Sequence, residues 1–451
     1  MDIIIVGCGK VGQALIEQLG EEDNNITVVD LSAAKINEMS ERYDCMGVCG
    51  NGATHTTLLE AGIDSADLLI AVTGSDELNL LCCLIAKKAG NCQTIARVRS
   101  PQYSMEAPYL KEELGLAMVI NPEYAAAAEI ARVLQFPSAM KIDTFAKGRV
   151  ELLKFRLPEN SPLVGCTVRE ISSKLHCDVL ICTIERGSEV YIANGDFAFM
   201  EKDVISMIAA PKNAYEFFRK IKYKAVPVKD AMIVGGGDIS HYLCGMLQRA
   251  GTSVKIIEKD AIRCDELSDK LEGVTIIHGD AADKDVLLEE GIEHTGAFVA
   301  LTDLDEENIL LSLFAKSMTN GKLVTKVNRI DFDSVIAHLD LDSIIYPKNI
   351  TAESIIRYVR AMRNTIGSNV ETLYQVIKGK VEAAEFIIKD CAEIIGKPLA
   401  ELEFKDNVLI AAILRDKKVI IPRGRDVIEK GDAVVIVSTH LGLHDITDIL
   451  L

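Results

Sequence analysis

Residues from about 1 to 222 recur from about 229 to 451, motif by motif, so whatever this chain folds into it must form twice. Ile5-Val6-Gly7-Cys8-Gly9-Lys10-Val11-Gly12 returns 228 positions later as Ile233-Val234-Gly235-Gly236-Gly237-Asp238-Ile239-Ser240, and Asp30 returns as Glu258. One inserted residue then moves the offset to 229, which pairs Gly62-Ile63 with Gly291-Ile292, Thr73 with Thr302, and Asp76-Glu77 with Asp305-Glu306. The match continues into a second kind of segment, pairing Val179-Leu180-Ile181 with Val408-Leu409-Ile410 and Asp203 with Asp432. Each half therefore holds two unlike domains.

In the first half, Met1 to Gly7 is a short apolar strand, and the glycines after it turn the chain into a helix through about Leu19. Strand-like runs recur at Ile26–Asp30, Cys45–Cys49, Leu68–Val72, Thr94–Val98 and Met118–Ile120, separated by amphipathic stretches such as Asp76–Ala89. That alternation predicts a doubly wound parallel sheet with right-handed crossovers, a Rossmann-like α/β fold. Pro122 starts a helix, Glu123–Gln135, whose partner begins at Pro347; its run of alanines from Ala125 to Ala128 fits either a dimer surface or a sheet cover. From about Val150 the pattern changes to short β segments: Glu151–Arg156, Val179–Glu185, Glu189–Ile192 and Val204–Ile208, with Val408–Leu414, Val419–Ile421 and Ala433–Val437 in the second half. Turn signals such as Arg186-Gly187-Ser188 separate them. The domains read as 1–138 and 229–365, Rossmann-like, and 139–224 and 366–451, small α+β lobes, with the lysine-rich Lys220–Lys229 as a solvated linker.

A length of 451 residues fits four such domains. Acidic residues (67) outnumber basic ones (49), and a net charge of −18 opposes phosphate backbones and anionic lipid alike, which argues against nucleic-acid binding. No apolar run reaches the roughly 18 residues that would cross a bilayer, and Met1 leads straight into a strand rather than a signal peptide. Twelve cysteines without framework spacing suit a reducing, cytoplasmic setting.

The chemistry is expected at the glycines. Gly7-x-Gly9-x-x-Gly12 follows a strand and opens a helix, with Asp30 closing the next strand. Gly7 permits the tight turn, Gly9 lets backbone approach a pyrophosphate, and Gly12 lets the helix lie against the strand, whose amino end then offers N–H groups to phosphates. Asp30 would accept hydrogen bonds from ribose hydroxyls and repel a 2′-phosphate, favouring NAD(H) or plain adenine nucleotides. In the second half Ser240 stands where Gly12 stood and Asp238 replaces Lys10, so weaker or altered nucleotide binding is expected there. Arg97 and Arg99 end the fifth strand at the carboxyl edge, where either terminal phosphates or nearby acids would meet them; their counterparts are Lys326 and Asn328.

Other constellations are weaker. His440-x-x-x-His444 has metal-ligand spacing, but Gly442 lies between them and neither has a partner in the first half, so no metal is expected. Cys45-x-x-x-Cys49 would place both thiols on one face of a strand, read as buried.

The glycine fingerprint, Ala61-Gly62-Ile63-Asp64-Ser65-Ala66-Asp67 before Ile70-Ala71-Val72-Thr73, Asp76-Glu77-x-Asn79, and Ala96-Arg97-Val98-Arg99 together resemble the RCK (KTN, or TrkA-N and TrkA-C) modules. Two such pairs in one chain resemble the regulatory subunits of Trk potassium-uptake systems. The resemblance implies a peripheral cytoplasmic protein, not an enzyme, that binds NAD(H) or ATP/ADP, assembles with copies of itself into a ring, and controls a membrane potassium-transporting subunit. It carries binding positions to Gly7, Cys8, Gly9, Lys10, Val11, Gly12, Asp30, Asn51, Thr73, Gly74 and Arg97, and in the second half to Gly235, Gly236, Gly237, Asp238, Ile239 and Glu258. The competing class is an NAD-dependent dehydrogenase, since the same fingerprint serves hydride transfer; against it, the lobes share no repeated histidine, His176 corresponding to about Asn407. A regulator of a different ion channel or antiporter would differ only in partner.

Overall fold

The computed structural model describes all residues except 21–23, 138, 158–159, 176, 188, 222–227, 329–338, 340, 365–369, 378, 390–392 and 444. His176, Ser188, His444, most of the lysine-rich linker and the expected domain edges at 138, 224 and 365 thus lie outside the described residues.

The first half opens β1 (Asp2–Val6), α1 (Lys10–Gly20), β2 (Asn25–Asp30), α2 (Ala33–Arg42), β3 (Met46–Cys49), α3 (His55–Glu60), β4 (Leu68–Ala71), α4 (Asp76–Ala89), β5 (Gln93–Arg97), α5 (Pro101–Met105), α6 (Ala107–Glu113), β6 (Met118–Ile120) and α7 (Pro122–Gln135). The strands form one sheet in the order β3-β2-β1-β4-β5-β6, parallel throughout. Ile3 to Val6 and Leu68 to Ala71 are all buried, because crossover helices cover both faces and leave no polar side for alternation. The order reverses direction between β1 and β4, which opens a crevice at their carboxyl ends.

The second half repeats this with β12 (Asp230–Val234), α10 (Asp238–Arg249), β13 (Ser253–Glu258), α11 (Ala261–Lys270), β14 (Thr275–His278), α12 (Lys284–Glu289), β15 (Ala297–Ala300), α13 (Asp305–Met318), β16 (Lys322–Lys326) and β17 (Ser343–Ile345), its strands in the order β14-β13-β12-β15-β16-β17.

The lobes are antiparallel. In the first, β7 (Lys141–Phe145), β8 (Val150–Arg156), β9 (Val179–Arg186), β10 (Glu189–Ile192) and β11 (Val204–Ala209) order as β10-β9-β11-β8-β7, with helices α8 (Val168–Leu175) and α9 (Pro211–Lys220). The second lobe repeats this with β18 (Val370–Ile377), β19 (Val381–Ile387), β20 (Val408–Arg415), β21 (Lys418–Ile420) and β22 (Ala433–Ser438), in the order β18-β19-β22-β20-β21. Phe155, Phe217 and Phe218 meet edge-on at centroid distances of 5.0 to 6.0 Å, each pair adding about 1 kcal/mol beyond its buried area.

Like domains associate across the halves. One compact unit comprises Met1–Ala131 and Val228–Ile356, the other Arg132–Pro227 and Arg357–Leu451. In the first unit, the Tyr242 hydroxyl of α10 donates to Arg99 O and accepts from Asn121 Nδ2, both at 2.9 Å, while its ring stands edge-on to Tyr124 at 5.5 Å. In the second, Phe145, Val150, Leu152 and Ile208 share one core with Val381, Ala383, Val435 and Val437. Tyr374 donates to Thr144 O at 2.9 Å.

The sequence expectation fails at Cys45 and Cys49. Cys45 precedes β3 and is half-buried, and Cys49 is exposed. β3 has only one neighbour in the sheet, so its outer positions stay in water. Cys82 and Cys83, by contrast, are fully buried core residues.

Glu151 in β8 supplies a pH prediction. Its Oε2 is buried without a hydrogen-bond partner, and burial raises the carboxyl to about 7, with Arg132 opposing in part. A carboxyl raised on folding contributes stability below its unfolded pKa and loses it as pH rises through 7. Glu151→Gln is therefore expected to exceed wild type by about 2 kcal/mol above pH 7, after discounting for partial exposure, with no advantage below about pH 4. Urea melts at the two pH values would read this; a pH-independent difference would refute it.

Candidate functional site

The first crevice is built by its backbone. Gly7 has φ +108°, in the left-handed region that favours glycine, and its N–H donates to Val29 O at 2.8 Å. A Cβ on Gly12 would fall 2.0 Å from Gly7 O, so α1 can lie against β1 only with glycine there. Gly9 differs: a Cβ there would meet nothing within 4 Å. The protein itself does not require glycine at that position, and the open space faces the amino end of α1.

Asp30 ends β2 with one oxygen accepting from Cys8 N–H at 2.8 Å and the other from Ser32 N–H at 2.9 Å. The carboxylate thus ties the glycine loop to the start of α2, which Ser32 caps. Cys8 is buried beside Asp30, and its thiol is pushed up to about 12, so it stays protonated. Lys10 is exposed at the first position of α1, and Val11 is buried. Across the crevice, Asn79 Oδ1 accepts from Thr73 N–H at 2.8 Å and Thr73 Oγ1 at 2.7 Å, while its Nδ2 donates to Arg97 O at 2.9 Å. Asn51 lies in the exposed turn after β3, its Oδ1 accepting from Ala53 N–H. Gly74 O accepts from the Arg99 guanidinium.

Arg97 turns to Glu123 of α7 at 3.5 Å. Burial lowers the arginine and raises the glutamate, each partly offset by the other, and Arg97 Nε and Glu123 Oε2 have no hydrogen-bond partner. Arg99 lies 3.8 Å from Asp76, whose other oxygen accepts from the N–H groups of Arg99 and Ser100.

The second crevice keeps the frame and changes the charges. Gly235 has φ +96°, Glu258 accepts from Gly236 N–H at 2.6 Å and Asp260 N–H at 2.8 Å, and Asn308 again clamps Thr302. Ser240, buried where Gly12 stands in the first half, donates its hydroxyl to Gly235 O, so a hydrogen bond replaces the close approach. Ile239 is buried. Gly237 caps α10, and Asp238 at its first position faces Arg263 of α11 at 3.4 Å, whose Nε donates to Gly236 O at 2.7 Å.

The structure thus gathers the expected first-half positions around the glycine loop, the adjoining turn after β3 that carries Asn51 and the opposing β4 end, except that Arg97 points to Glu123. Sequence reasoning missed Tyr242, Asn121 and Arg263. Tyr242 and Arg263 carry no motif, and Asn121 was detectable only as the residue before the helix-starting Pro122. Among the described residues no cluster of three or more His, Cys, Asp or Glu could hold a metal, and His440 Nε2 instead lies 2.8 Å from Asp406 O.

The TrkA-N domain family matches residues 3–122 and 231–347, and the TrkA-C domain family matches 152–222 and 383–451. The chain is similar to the Trk system potassium uptake protein TrkA homolog 1 of Methanosarcina mazei, 30% identical over 448 residues covering 97% of both chains. It is 32% identical over 440 residues to the TrkA protein of Haemophilus influenzae, covering 97% of this chain and 95% of that one. Among solved structures, the GsuK channel bound to NAD superposes with a TM-score of 0.65 at 17% identity, covering 97% of this chain and 76% of that one, a likeness of fold.

Proposed function

Because this chain belongs to the TrkA family of Trk-system potassium uptake proteins, we propose that it is a peripheral regulatory subunit whose first crevice senses an adenine nucleotide, NAD(H) or ATP/ADP. Occupancy changes the shape of a ring of such chains and so gates a membrane potassium-translocating partner. The observation that carries the reading is the first glycine loop, where space is open beside Gly9 at a helix amino end and the Asp30 carboxylate holds the loop by the Cys8 N–H. The pyrophosphate would lie along Gly7 to Gly12, the adenosine ribose on Asp30, and the far end near Thr73 and Gly74. Arg97 would reach phosphate only by leaving Glu123.

The chemistry here is binding rather than bond-making: Asp30, Asn79 and Asp76 are committed to backbone groups, and the Cys8 thiol is not a nucleophile. A switch needs only a ligand with different affinity for two arrangements. Among the described residues no helix is long and apolar enough to cross a membrane.

Calorimetric titration of NAD, NADH, ATP and ADP tests the site. Asp30→Ala is expected to weaken binding by roughly tenfold or more, the loss of a charged hydrogen-bond acceptor, and Glu258→Ala by much less. Equal losses would refute the inequality of the crevices. Nucleotide-independent potassium flux through a reconstituted complex would overturn the sensor, and steady substrate-dependent turnover of NADH would favour a dehydrogenase.

A further inference from the structure

The two crevices share a backbone plan, so the side chains that differ between them carry the difference in what each accepts. Lys10, Asn51, Gly74 and Leu78 of the first half stand as Asp238, Asp280, Asp303 and Glu307 in the second. Each exchange adds a carboxylate. The last three line a crevice of about 180 Å³ with the glycines and Glu258, and Asp238 begins the helix beside it.

Two of these carboxylates are already paired with the cations a phosphate would seek. Arg263, the counterpart of Lys35, reaches Asp238 at 3.4 Å while its Nε holds Gly236 O. Lys326, the counterpart of Arg97, donates from a buried position to Asp303 at 3.2 Å. Asp238 also occupies the first turn of α10, where helix N–H groups and dipole favour one negative charge and a second would be repelled.

We propose that the second crevice is liganded by the protein's own carboxylates at its phosphate positions, Asp238 on Arg263 and Asp303 on Lys326, so that it accepts the adenosine end of a nucleotide and rejects its diphosphate. This rests on the reading that these crevices take adenine nucleotides. Glu258 keeps the ribose acceptor, whereas Asp238 and Asp303 set the specificity. The two halves then answer different ligands, the first a dinucleotide or nucleotide and the second a nucleoside whose 5′ end carries little negative charge.

The test uses full-length protein with the first crevice weakened by Asp30→Ala, titrated with adenosine, AMP and ADP. Adenosine is expected to bind at least as tightly as ADP, in a Glu258-dependent manner. Adding Asp238→Lys and Asp303→Gly, the residues of the first half, should raise ADP affinity by about tenfold or more while changing adenosine by less than about threefold. Thermal melts confirm that each variant folds, and Asp303→Gly alone, at an exposed loop position, serves if the double change does not. Glu258-dependent ADP binding tighter than adenosine in the Asp30→Ala protein would overturn the proposal. So would failure of the carboxylate replacements to raise ADP affinity, or an equal rise for both ligands. Loss of ADP binding in Glu258→Ala, with the first crevice intact, would overturn both this proposal and the first-crevice reading, whereas ADP binding unaltered by Asp30→Ala and by Glu258→Ala alike would fail the first-crevice reading alone.

Discussion

Gly12→Ala is expected to destabilise the first nucleotide domain by about 3 kcal/mol, whereas Gly9→Ala should leave its stability within about 0.5 kcal/mol and abolish measurable nucleotide binding. The two glycines sit in one motif and answer to different neighbours. A methyl at Gly12 would lie 2.0 Å from Gly7 O, and the obstacle is backbone in a turn already committed by the positive φ of Gly7. Relief requires α1 to move away from β1, which uncovers the buried face of α1 at Leu15 and Ile16, each at most 1% exposed. At Gly9 a methyl meets no protein atom within 4 Å. On the proposed placement of the nucleotide, its effect falls on a ligand whose phosphate would approach the backbone at that point. Chemical melts and calorimetry on the same preparations separate the two. Unimpaired binding by folded Gly9→Ala protein would remove the phosphate from this loop.

Asp203→Ala and Asp432→Ala are each expected to cost about 3 kcal/mol in the lobe unit, read by urea melts. Each carboxylate is 1% exposed. Asp203 accepts from Arg186 Nε and Nη2 at 2.8 and 2.7 Å and from Met200 N–H at 2.8 Å; Asp432 accepts from Arg415 at 2.9 and 2.7 Å and from Glu429 N–H at 2.8 Å. Removing one partner of a buried pair leaves the other charge and a backbone N–H without an acceptor, a change of about 3 to 5 kcal/mol when both partners are buried. The lower figure applies because the arginines are 30% and 26% exposed and regain water. Hydrogen bonding to the aspartates also raises both guanidinium pKa values, so the arginines keep their charge into alkaline solution. A cost below about 1 kcal/mol in either lobe would mean that hydration replaces the aspartate and that the repeated pair is incidental.

Much of the first domain was legible because its signals are local. Strands buried on both faces read as apolar runs, and the glycine turn, Asp30 and the Pro122 helix start each depend on residues within one βα step. The lobes were read less fully. Lys141–Phe145 and Val370–Ile377 form strands that the sequence reading did not predict, since their place is fixed by pairing with β8 and β19 rather than by an apolar run. In the site, Arg97 could be placed at the carboxyl edge of the sheet, but its direction toward Glu123 depends on a helix 26 residues further on. Arg263 was invisible for the same reason: its role at Gly236 comes from how α11 crosses the loop.

The duplication, the unlike domains within each half, and the charge changes between the two glycine loops are properties of residue order and were determined by the sequence alone. Tertiary structure decided the partnership of domains. The nucleotide domains of the two halves form one unit through Tyr242, Asn121 and Tyr124, and the lobes form another through a common core. The physical reason is range: hydrophobic period and turn chemistry act over a few residues, whereas the choice of a partner surface depends on shape and burial between segments more than a hundred residues apart.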